Sequence, residues 1–140
     1  MRRLRKLMQL TPADQLLLIE AGLNVIYARV ALWVVPFRRL RPKLERTALP
    51  QDRSCDEGEV ERVTWAVSKV SRLVPAASCL TQALSVRRML ERRRVGCTLK
   101  LGVKRDERGV FCAHAWIEHA GRVVIGDQGG LRDFATLPAL

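Results

Sequence analysis

The chain has 140 residues, 48% hydrophobic and 28% charged, with 25 Lys and Arg against 14 Asp and Glu for a net charge of +11. That length and balance fit one globular domain able to bury a core without staples, with no internal repeat or low-complexity segment. The four cysteines, Cys55, Cys79, Cys97 and Cys112, form no CxxC pair, so metal-site spacing is absent; no signal peptide follows the basic start Met1–Lys6, and a reducing cytoplasm with free thiols is expected.

The first expected element is a helix. Thr11 suits its cap, Pro12 its first position and Asp14 its first turn. The Leu-rich run from Gln15 to about Val35 follows, and Pro36 should end or bend it. Glu20, Asn24 and Arg29 interrupt the run, so no charge-free stretch approaches the roughly 18 residues of a membrane span. A buried or partner-facing helix is the reading, with an interfacial role beside Arg38, Arg39 and Arg41 as the alternative. Residues Arg38 to Gly58, with Pro42 and Pro50, read as a polar connection.

Glu59 to about Leu73 carries a broad apolar stripe near helical period, and Pro75 stops it. Ser78 then caps a third helix, about Cys79 to Arg93. After Gly96 the pattern alternates, with a strand over Cys97–Val103 and a charged turn over Lys104–Gly109. A strand over Val110–Glu118 follows, with Arg122–Ile125 as its hairpin partner across His119-Ala120-Gly121. Helices first and an antiparallel sheet after them make an α+β domain. The expected organisation is one domain over 1–140, with the Leu-rich helix and connection in 1–50 and the core in 59–140.

Cys79, His114 and Asp127 arrive in the order of a cysteine-nucleophile site. Cys79 opens a helix, where free backbone amides and the dipole favour a thiolate and supply part of an oxyanion hole. His114 lies in a strand between two alanines, on one face with Cys112, Trp116 and Glu118. Asp127 ends the neighbouring strand, within reach of the imidazole. Taken singly, each has an ordinary explanation: a small buried apolar residue, a satisfied core histidine, and turn chemistry before Gly129-Gly130. Asp133 is the alternative acid. Cys112 competes as nucleophile but lacks a helix-terminus field. His119, at the expected turn, should face solvent.

The segments Cys79-Leu80-Thr81-Gln82-Ala83-Leu84, Lys100-Leu101-Gly102-Val103, Ala113-His114-Ala115-Trp116-Ile117-Glu118 and Gly121-Arg122-Val123-Val124 resemble the transglutaminase-like leader peptidases of lasso-peptide biosynthesis, the B-protein family. The Leu-rich helix ending Pro36-Phe37-Arg38-Arg39-Leu40 also fits, so the resemblance covers most of the chain. It implies a papain/transglutaminase-like core, Cys79 as nucleophile, His114 as base and acid, Asp127 as orienting carboxylate, and no metal or organic cofactor for the cut. It also implies a precursor peptide as substrate and the stand-alone form, which depends on a separate leader-binding protein and works beside an ATP-dependent macrocyclase. Rival readings are a transglutaminase-type acyl transferase and a basic nucleic-acid-binding module. The second is weakened by the scarcity of aromatics, three Trp, one Tyr and three Phe, and by the lack of a recognised motif.

Overall fold

The computed structural model describes residues 10–36, 38–39, 57–127 and 129–136. Most of the expected polar connection, including Cys55, lies outside the described residues. Helix α1 runs Pro12–Val34, α2 Glu57–Ser71 and α3 Cys79–Arg92. The strands are β1 Thr98–Arg105, β2 Phe111–His119, β3 Arg122–Ile125 and the two-residue β4 Ala135–Thr136, with a short helical turn at Leu131–Asp133. The sheet order is β3-β2-β1-β4, and every pairing is antiparallel. The α+β arrangement expected from the pattern is the one observed.

Local chemistry sets the helix starts. Thr11 Oγ1 accepts the Asp14 amide at 3.2 Å, and Pro12 occupies the first turn. Val35, the residue before Pro36, adopts an extended conformation and closes α1. The core lies between the three helices and one face of the sheet. Val25 of α1, Val63 and Val67 of α2, and Val86 and Met89 of α3 meet Leu99, Ala115 and Ile117 there, all essentially fully buried. Removing any of the larger ones leaves a cavity in a close-packed interior.

α1 is 23 residues long and apolar enough to cross a membrane by length and composition alone. One of its sides, however, is committed to the domain: Leu17, Ala21, Asn24, Val25 and Ala28 are buried.

One guanidinium ties the three helices together. Arg93, just past α3, reaches both carboxylate oxygens of Glu20 on α1 at 3.0 and 2.7 Å, and Glu59 on α2 at 3.0 Å. The Arg93 hydrogen bond holds the Glu20 carboxyl below the usual range, against the opposing pull of partial burial. A lowered folded-state value means that this stabilisation is complete above the ordinary glutamate range, about 4.3, and disappears as pH falls through the lowered value. Stability should therefore drop on acidification below about pH 4.3, and Glu20→Gln should flatten that part of the curve. Urea titrations at stepped pH measure it; an unchanged acid branch in Glu20→Gln would show that the clasp adds nothing.

His119 corrects the sequence reading. It is buried, and its Nδ1 donates to the Gly96 carbonyl at 2.7 Å. The strand extends one residue further than its alternation suggested. The turn is only Ala120-Gly121, with φ of 48° and 77°, the positive values that the tightest hairpin turn requires. His119 is thereby kept in the ladder opposite Arg122.

Candidate active site

Cys79 is the first residue of α3 and is half-buried. Ser78 caps the helix: its Oγ accepts the Thr81 amide at 3.3 Å and lies 3.1 Å from the Thr81 hydroxyl. The amides of Cys79 and Leu80, one turn too early for a helical acceptor, stand at the positive end of the helix. A 14-residue helix rises about 21 Å, or some six strand residues. α3 feeds β1 through a short connection and packs against both β2 and β1.

Among the described residues, the other two thiols are placed differently. Cys97 is buried, and desolvation pushes its thiol up to about 12, with Arg87 opposing and Glu91 adding to the rise. Such a group stays protonated and inert. Cys112 is half-buried in β2, with Sγ 4.0 Å from the Val110 carbonyl.

His114 is buried on β2. Its Nε2 shares a hydrogen bond with the Gly126 carbonyl. A carbonyl only accepts, so Nε2 is the donor in this bond, which leaves Nδ1 as the nitrogen open to a proton exchange. The ring stacks on Trp116, with centroids 6.1 Å apart, and tilts against Phe134 at 5.6 Å. Period two explains the segment from His114 to Glu118. Trp116 Nε1 donates to Glu118 at 3.0 Å, and Lys100 on β1 holds the other carboxylate oxygen at 2.9 Å. Burial pushes the Glu118 carboxyl up, but the indole and ammonium outweigh it and leave the group below the usual range. An ionised Glu118 thus fixes the indole, and the indole flanks the imidazole.

Among the described residues, Asp127 and the imidazole share no hydrogen bond. Asp127 turns its Oδ1 onto the Gly129 amide at 2.9 Å, closing a local turn, while the carbonyl just before it meets His114. Asp133 lies in the short turn Leu131–Asp133. Among the described residues, the thiol of Cys79 and the ring of His114 do not hydrogen-bond to each other. Ala115 and Ile117 face the helical core with Cys79, whereas His114 and Trp116 project between them toward Phe134. The structure therefore joins imidazole, indole and the Gly126 carbonyl, and packs Cys79 against the helical core.

Gly102, opposite His114 on β1, makes the aromatic group fit. A Cβ there would lie 2.7 Å from Phe134 Cβ and 2.9 Å from the Trp116 ring. Gly102→Val should push both rings off the strand and destabilise the fold by about 1–3 kcal/mol. Denaturant unfolding together with Trp emission reads both effects; wild-type stability and emission would mean that the rings do not rest on Gly102.

The model of the transglutaminase-like superfamily matches residues 23–139, which is 117 of the 140 residues. The chain belongs to the transglutaminase-like superfamily. No curated protein and no solved structure matches it. This superfamily consists typically of cysteine peptidases and acyl transferases, which share a thiol nucleophile and a covalent acyl-enzyme. The transglutaminase-like core encloses both Cys79 and His114, while the first half of α1 lies outside the matched range. Sequence reading missed Phe134, the Gly126 carbonyl and the role of Gly102. The only signal for them was the pairing of His114 and Trp116 on one strand face.

Proposed function

We propose that this transglutaminase-like domain is a cysteine endopeptidase that removes the leader from a ribosomally made lasso-peptide precursor. The observation that carries the reading is a half-buried thiol at a capped helix N-terminus, in a domain of this superfamily whose β2 imidazole is held through Nε2 by the Gly126 carbonyl. Resemblance of the Cys79-Leu80-Thr81 and His114-Ala115-Trp116 segments to lasso leader peptidases narrows the substrate.

In the proposed reaction His114 Nδ1 takes the Cys79 thiol proton, the resulting thiolate attacks the scissile carbonyl, and the α3 amides receive the developing oxyanion. Collapse breaks the C–N bond, with His114 giving its proton to the leaving core amine. The leader remains as a thioester on Cys79. His114 then draws a proton from water, the hydroxide attacks the thioester, and the thiolate leaves. The products are a leader carboxylate and a core peptide with a free amine, the group an ATP-dependent macrocyclase would consume. A separate leader-binding protein would present the precursor, and the reaction would run in the cytoplasm. Cys79 and His114 share no hydrogen bond among the described residues, so the proposed pair would have to assemble on substrate binding.

The test is incubation of the full chain with precursor, with and without a leader-binding protein, followed by mass spectrometry. Hydrolysis adds one water across two fragments. Addition of an amine to the acyl fragment instead would assign the acyl-transferase chemistry.

A further inference from the structure

The side of α1 turned away from the core is apolar along its whole length. Leu16, Ile19, Leu23, Ile26, Val30 and Trp33 recur at alternating spacings of three and four, and are between 51% and 81% exposed. From Leu16 to Val34 the stripe extends about 27 Å. Soluble domains rarely leave so long an apolar surface uncovered.

The α3-side border and the C-terminal end of the stripe are cationic. On the α3 side, the Arg88 guanidinium lies 3.9 Å over the ring of Tyr27, which is itself exposed. Glu20, the acidic residue on that border, is neutralised by Arg93. Exposed Arg38 and Arg39 follow the helix. In the sequence, Arg2, Arg3, Arg5 and Lys6 precede it, and Arg41, Lys43 and Arg46 come after.

We infer that α1 lies flat on an anionic lipid bilayer, with this stripe among the acyl chains and its arginine borders at the headgroups. An apolar stripe framed by basic residues, with Trp and Tyr at the level where ring and headgroup meet, is the pattern of an interfacial helix. Spanning is excluded because the opposite side holds the domain core. The same spacing would suit pairing with a second copy, but each copy carries a charge of +11 and the same arginine borders, which would then face their like.

The experiment is flotation of the full chain with vesicles of phosphatidylcholine and phosphatidylglycerol at roughly two to one, and with pure phosphatidylcholine. Binding should be at least about tenfold stronger on the anionic vesicles. Trp emission should shift to the blue on binding, and Trp33→Phe should lose most of that shift while still binding. The double variant Leu23→Glu with Ile26→Glu, both on the exposed side, should keep its far-UV circular dichroism and melting temperature yet lose binding by about tenfold or more. Absence of flotation with either vesicle overturns the inference. So does undiminished binding by the double variant, or a salt-resistant soluble dimer that the same substitutions return to monomer.

Discussion

Cys79→Ala is expected to abolish precursor cleavage while leaving the fold intact, with a rate loss of at least about a thousandfold. The side chain is half-buried and follows a cap made by Ser78 and Thr81, so its loss removes the sulfur without unseating the helix. Far-UV circular dichroism and a melting curve confirm the fold, and mass spectrometry of the precursor reads the activity. Cys112 gives the counter-test. It lies two residues from His114 on the same strand and does not itself begin a helix. Retained cleavage by Cys79→Ala with loss in Cys112→Ala would move the nucleophile into β2 and remove the case for the α3 amides as oxyanion donors.

Replacement of His114 should be as damaging, because nucleophile and base act as a unit. His114→Gln is the sharper choice. Its amide N–H₂ can still donate to the Gly126 carbonyl, so the loop stays anchored, but no base remains at the position of Nδ1. Asp127→Asn should cost far less, since the bond that orients the imidazole comes from the Gly126 backbone while Asp127 braces the turn through the Gly129 amide. Asp133→Ala completes the set. Steady-state rates for the three variants decide the matter: inactivity of Asp127→Asn equal to that of His114→Gln would make the carboxylate, and not the carbonyl, the orienting group in the loaded complex.

The helix starts were legible because their determinants are local. Thr11-Pro12 and Ser78 announce α1 and α3 within a few residues of where they begin. The β2–β3 hairpin was legible from its alternation, and so was the α+β class. Three features were not. His119 is held by the Gly96 carbonyl, 23 residues away in sequence, and a strand end beside an Ala-Gly turn looks the same whether its last side chain faces in or out. β4 is two residues long and exists only because β1 offers Gly102 and Val103 as partners. The group that meets His114 is the main-chain carbonyl of Gly126, which no side-chain pattern reveals.

The crossing of Trp116 and Phe134 over Gly102 has a consequence for how the protein comes into being on the ribosome. The thiol-bearing helix is synthesised first, the imidazole and its indole next, and the phenyl ring that closes over them later still. Until Phe134 emerges, the imidazole lacks one wall and the β1 edge beside Gly102 is bare. A nascent chain halted between Asp127 and Phe134 would thus carry each chemical group of the site but not the enclosure around its base. The order of translation thus completes the Cys79 helix and the His114 strand before the Phe134 ring that packs against the imidazole has been made.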